Sequence, residues 1–203
     1  MQIHQAFPTP IMEAQLDSLL LQQCLAVARS TLPEDRVLRE WSIKRPWCTD
    51  DTLHTLFQWR SISERILTAA DHMLDAQGVI RQAIGISSMW VNAQYQHTNH
   101  QAHIHSNSYL SGVIYLQVPE HSQYIQFYDP RPAALVIRPQ QQVDTETAQF
   151  TPCAGKFLMW PSWLLHSTNS STHSELDQPR ISISFNVMLK GHVGGHSAKM
   201  EVR

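Results

Sequence analysis

Two histidines one residue apart, His103-Ile104-His105, are the first pair in this chain whose spacing suits chemistry. In a β-strand, residues i and i+2 point to one face, so both imidazoles can meet a single metal ion there. On that tripeptide alone, surface histidines on a polar strand are the better reading. The best candidate for a third ligand is His166, which closes the run Gly155-Lys-Phe-Leu-Met-Trp160-Pro161-Ser-Trp163-Leu-Leu-His166. A strand that leaves Gly155 and turns back through Pro161 brings this imidazole toward the first pair.

Other metal patterns fit the spacing less well. A metallo-β-lactamase-type HxHxDH needs Asp and His where Asn107 and Ser108 stand. A cupin-type HxH calls for a Glu near Tyr109 or Leu110, and for a His close behind a Gly, yet 11 positions separate Gly155 from His166. The cupin reading is weakened but stays open. Zinc fingers and ribbons require paired cysteines, and Cys24, Cys48 and Cys153 are scattered.

A second informative stretch is Pro179-Arg180-Ile181-Ser182-Ile183-Ser184-Phe185-Asn186, which alternates strictly. Arg180, Ser182, Ser184 and Asn186 share one face of the strand that this pattern predicts, and Ile181, Ile183, Phe185 and Val187 the other. An ordinary strand would turn the polar face to water. A metal-candidate histidine, a loop and then a strand opening on Arg suggest a different use, because a guanidinium grips a carboxylate bidentately inside a barrel.

The elements that must position these residues divide the chain in two. Leu16, Leu20, Cys24 and Val27 form one helical stripe, and Trp59, Ile62, Ile66, Ala70 and Met73 form a longer one after a Thr49-Asp50-Asp51 start signal, with Gly78 as its end. From about Ile86 the period shortens to strands at Met89 to Gln96, Tyr109 to Val118, Tyr124 to Tyr128, Lys156 to Trp160 and Arg180 to Leu189. Helices followed by many short strands imply an α+β, mainly β arrangement with helices covering a sandwich or barrel. Asn169 to Gln178 reads as a surface loop. Gly191 to Arg203 reads as a loose tail, with His192 and His196 as stray solvent-facing side chains.

The ordered combination of Trp90-Val91-Asn92, His103-Ile104-His105, Leu110-Ser-Gly-Val-Ile-Tyr115-Leu116, Phe127-Tyr-Asp-Pro-Arg131, Gly155 to His166 and Arg180 to Asn186 resembles the small bacterial and phage 2-oxoglutarate/Fe(II)-dependent oxygenases. The resemblance runs from about Trp90 to Leu189 and, more loosely, includes Phe7-Pro8-Thr9-Pro10. It implies a double-stranded β-helix (jelly roll), iron(II) on His103 and His166, and 2-oxoglutarate held at its far carboxylate by Arg180 with Ser182, Tyr115 being a further candidate contact. It also implies an oxidative reaction in which 2-oxoglutarate gives succinate and carbon dioxide while a substrate is hydroxylated. The wider superfamily has a carboxylate where His105 stands, so the facial triad of two histidines and one carboxylate is altered here. His105 is taken as the third ligand, the alternative being that water completes the site.

Other residues have two readings each. Asp129 can be a missing carboxylate ligand, but Asp before Pro is what a turn requires. His97 and His100 either line the mouth or decorate a loop. Trp90, Trp160 and Trp163 are expected in the core or barrel wall, while Asn92 and Tyr115 alternate with apolar neighbours and can face the pocket. Ser111-Gly112 lacks the Gly-x-Ser-x-Gly turn of a hydrolase nucleophile.

Composition bounds the rest. At 203 residues and 42% hydrophobic content the chain suits one domain: a helical cover over 1–80, a jelly-roll core over 86–190 and the tail. A net charge of -2 and pI near 6.6 leave no field to gather nucleic acid or an anionic membrane, so a small-molecule or peptide substrate is expected. The Met1-Gln-Ile-His start lacks the features of an export signal, and an odd number of scattered cysteines fits a reducing compartment, so a cytoplasmic location is expected. A homodimer through an exposed helix face stays open.

Overall fold

The computed structural model describes residues 1–4, 6–43, 45–80, 82–95, 100–131, 136, 146–168, 178–194 and 199–202. Two antiparallel sheets face each other. The larger is built from β1 (Met12–Gln15), β8 (Lys156–Pro161), β5 (Leu110–Gln117), β10 (Arg180–Val193), β3 (Ala83–Gln94) and β2 (Trp47–Cys48) in that spatial order, with β11 (Met200–Val202) paired to the end of β10. The smaller runs β4 (His100–His103), β9 (His166–Thr168), β6 (Ile125–Tyr128), β7 (Thr147–Phe150). Consecutive segments pass back and forth between the two sheets, which is the winding of a double-stranded β-helix. The expected fold class holds.

The strict alternation of β10 now has a physical use on both faces. Ile181, Ile183, Phe185 and Val187 are fully buried against Val91, Ile114 and the apolar stripes of α1 (Ser18–Thr31) and α3 (Arg60–Ala76), among them Cys24, Ala28, Ile62, Ile66 and Ala70. Arg180, Ser182 and Asn186 are buried too, on the face turned to the smaller sheet. A second apolar cluster, Val113, Tyr115, Phe127, Leu158, Trp160 and Leu164, fills the space between the sheets. Close packing explains Gly112 in mid-strand: a Cβ there would stand 2.0 Å from Cζ of Phe185 and 2.6 Å from the Leu158 carbonyl oxygen.

Several expectations are corrected. The second predicted helix starts at Arg60, not after Asp51, because Thr49 and Asp51 are engaged with β3: the Val91 amide donates to the Thr49 hydroxyl at 3.0 Å and the Met89 amide to the Asp51 carbonyl at 2.7 Å. Two 3-10 turns, Leu53–Thr55 and Phe57–Trp59, fill the gap, and Gly78 ends the helix region with φ of 72°. A further helix, α2 (Asp35–Ser42), went unread because it buries only Leu38 and Ser42. The supposed tail is partly ordered: β10 runs on to Val193, and Met200 to Val202 pair back onto it, with His192 opposite Glu201. Trp163 is 55% exposed, so it is not a core residue. His97, His196 and residues 169–177 lie outside the described residues. No helix among the described residues is long and apolar enough to cross a membrane.

Candidate metal centre

The smaller sheet places the first two imidazoles. His103 ends β4 and His166 opens β9, and antiparallel pairing sets them directly opposite each other. Their ring centroids are 4.4 Å apart, as expected for side chains facing across a ladder. His105 lies beyond β4, so it does not reach the site by strand alternation as the HxH spacing suggested. Its backbone amide instead donates to the Ser162 carbonyl at 3.0 Å, and the Ser162 amide donates to the Tyr109 carbonyl at 3.0 Å. The segment is thereby strapped to the bend that follows Pro161. All three side chains offer ligand atoms within 4.8 Å of one another, and among the described residues they are the only such group.

Hydrogen bonding orients the rings. The Nδ1 of His103 lies 2.7 Å from the Gln101 carbonyl and the Nδ1 of His166 lies 2.8 Å from the Leu164 carbonyl. A carbonyl only accepts, so each Nδ1 carries the proton and each Nε2 keeps a free lone pair. The Nε2 atoms of His105 and His166 face each other at 3.3 Å, an approach that one shared proton or one cation resolves. Burial, reinforced by His103, takes His105 down to about 4. Burial likewise takes His166 down to about 3, against the opposing pull of the Leu164 carbonyl. Both rings are therefore neutral near pH 7, the form a metal requires.

The imidazoles border a cavity of about 190 Å³ between the sheets. Arg180, Ser182 and Tyr115 line it as well, so the six candidate site residues share one space. Arg180 is 9% exposed, its Nη1 donates to the Gln123 carbonyl at 3.3 Å, and its Cζ lies 5.0 Å from the centre of the Tyr115 ring. Among the described residues no carboxylate pairs with it. Burial pushes the Tyr115 phenol up, partly opposed by the adjacent guanidinium. The Ser182 hydroxyl makes no hydrogen bond among the described residues. A buried cation without a counter-ion beside a free hydroxyl is a receptor for a carboxylate.

Residues 88–186 match the family model described as "Putative 2OG-Fe(II) oxygenase". That stretch, just under half of the chain, is similar to a 2OG-Fe(II) oxygenase domain. The matched stretch contains all six residues above. Solved structures with this fold include the epimerase SnoN in complex with Fe3+, alpha ketoglutarate and nogalamycin RO, at 14% identity and TM-score 0.63 over 96% of this chain and 82% of that one. A Pseudomonas putida prolyl-4-hydroxylase aligns at 10% identity and TM-score 0.57 over 88% and 92%. HygX from Streptomyces hygroscopicus with nickel and 2-oxoglutarate bound aligns at 12% identity and TM-score 0.55 over 89% and 82%. At these identities the likeness is one of fold. No curated protein matches the chain.

The residues present fit iron and 2-oxoglutarate. Three imidazoles whose ring nitrogens converge suit iron(II), and a guanidinium with no carboxylate partner among the described residues suits a dicarboxylate. Asp129 supplies no ligand. It accepts from the Arg131 amide at 2.9 Å and pairs with the Arg131 guanidinium at 2.6 Å, which holds its carboxyl down at about 2 and makes the turn that Asp before Pro predicts. His100 opens β4 and lines the cavity, as do Trp90, Asn92 and Trp160.

Two further features escaped the sequence. Asn92 is a hub, accepting from the Trp90 indole at 3.0 Å and the Cys48 thiol at 3.1 Å and donating to Ser184 at 2.8 Å. Asn186 accepts from Ser111 at 2.7 Å, and Ser111 meets the Ser162 hydroxyl at 2.7 Å, so a buried polar chain reaches the residue that straps His105. The polar side of the β10 alternation was the available signal. Partners 51 and 75 positions apart in the chain were not legible.

Proposed function

We propose that the oxygenase hydroxylates a small-molecule or peptidyl substrate, with His103, His105 and His166 holding iron(II) through their Nε2 atoms and Arg180, Ser182 and Tyr115 holding the far carboxylate of 2-oxoglutarate. The observation that carries this is the shared cavity: three imidazoles and a guanidinium with no carboxylate partner among the described residues border one space between the sheets. Bound iron and 2-oxoglutarate would supply the oxidising chemistry, in which dioxygen is the oxidant: one of its atoms enters succinate as 2-oxoglutarate loses carbon dioxide, and the other passes to substrate.

The chain's own work is orientation and exclusion. The Gln101 and Leu164 carbonyls lock two ligand tautomers. Arg180, with Ser182 beside it, fixes the co-substrate's direction in the cavity, and Tyr115 walls that end. Trp160 and Phe127, packed at 4.9 Å and 5.9 Å from the His166 ring, keep bulk water from the ligand side. A three-histidine centre working without co-substrate has no use for a buried guanidinium, so Arg180 favours an oxygenase that binds 2-oxoglutarate. Three unpaired cysteines agree with a reducing, cytoplasmic setting.

Succinate formation tests the proposal. Iron(II) and 2-oxoglutarate together should yield succinate slowly, and one class in a panel of metabolites and peptides should raise that rate. Folded protein that consumes no 2-oxoglutarate under any of these conditions would contradict it.

A further inference from the structure

The charge inside the cavity does not balance. Among the described residues that line it there is no Asp or Glu, while Arg180 contributes a full positive charge. A triad of two histidines and one carboxylate, with iron(II), the 2-oxoglutarate dianion and one arginine, sums to neutrality. Three histidine ligands, which bring no charge to a bound metal, would replace that set, and among the described residues the filled cavity is left with one unit of positive charge. An uncompensated charge beside the apolar cluster between the sheets is costly, and it favours any ligand that cancels it.

Resting on the ligand assignment proposed above, we infer that the primary substrate presents a monoanionic group, a carboxylate or equivalent oxyanion, to the mouth of this cavity. The mouth lies where the lining residues are exposed, between Cys48 on β2 and His100 on β4. The imidazole of His100 offers a hydrogen-bond donor there. The half-buried Trp90, its indole N–H tied to Asn92, presents an apolar wall for the substrate's body. No anionic side chain among the described lining residues opposes the approach of an acid, whereas a cationic substrate would meet the net positive charge of the filled cavity.

The test uses cobalt(II)-loaded protein saturated with 2-oxoglutarate in chloride-free buffer, with the visible ligand-field bands as readout. Wild-type protein should respond to azide and to acetate at millimolar concentration and not to acetamide, the neutral isostere of acetate. His105→Asp, which restores a carboxylate, should shift the anion-free bands and weaken the response to both anions at least tenfold. Equal responses to acetate and acetamide in the wild type, or equal anion affinity in a His105→Asp protein whose own bands have shifted, would overturn the inference alone. Anion-free bands that His105→Asp leaves in place would remove the inference together with the ligand assignment.

Discussion

His103 and His166 stand directly opposite each other on neighbouring antiparallel strands, their rings 4.4 Å apart although 63 positions separate them in the chain. The ladder that pairs them also pairs His166 with Phe127 on its other side, so the ring is confined from both directions. Two of the three proposed ligands are thus set by strand register, and a one-residue slip would turn them away from each other. The third depends on the strap from Ser162.

His166→Ala removes the most buried of the three imidazoles. We expect metal affinity to fall at least a hundredfold and substrate-independent succinate formation to disappear. Metal analysis after dialysis checks this, and iron content equal to that of the wild type would remove His166 from the centre.

Arg180→Gln separates co-substrate from metal. Hydrogen bonds to charged groups contribute roughly 1.5–3 kcal/mol, so the Kd for 2-oxoglutarate should rise about ten- to hundredfold. Cobalt(II) affinity should stay within a factor of two or so, since the guanidinium is not a ligand. Calorimetric titration of both ligands reads the split, and unchanged 2-oxoglutarate affinity would assign Arg180 a structural role only.

Asn186→Leu cuts the polar chain behind His105 while keeping the side chain's branched shape. Residues that orient metal ligands typically matter by about 10–100-fold in affinity, and the low end is expected here because Asn186 acts through Ser111 and Ser162. Cobalt(II) bands should move toward those of a His105→Ala protein. Bands identical to the wild type in a folded variant would show that the strap holds without the network.

Much of this was legible in the sequence, for reasons that differ by element. The two apolar stripes gave α1 and α3 because helical periodicity over 14 and 17 residues is a strong signal. The strict alternation from Arg180 gave β10 and both of its faces. Of the smaller sheet only β6 was legible, at Tyr124 to Tyr128: β4, β7 and β9 have only three or four residues each, too few for a period of two to register. That sheet nevertheless carries His103 and His166. Their convergence was read from residue type and order, and His105 was expected on a strand that in fact ends at His103. The β10–β11 hairpin escaped because Gly191 and Gly194, both at positive φ, resemble the composition of a free tail.

The visible spectrum of anaerobic protein with iron(II) and 2-oxoglutarate addresses the central claim most directly. A weak charge-transfer band should appear when both are present, and should be lost in His166→Ala and Arg180→Gln. Folded wild-type protein that binds iron(II) yet shows no band at saturating 2-oxoglutarate would contradict the account.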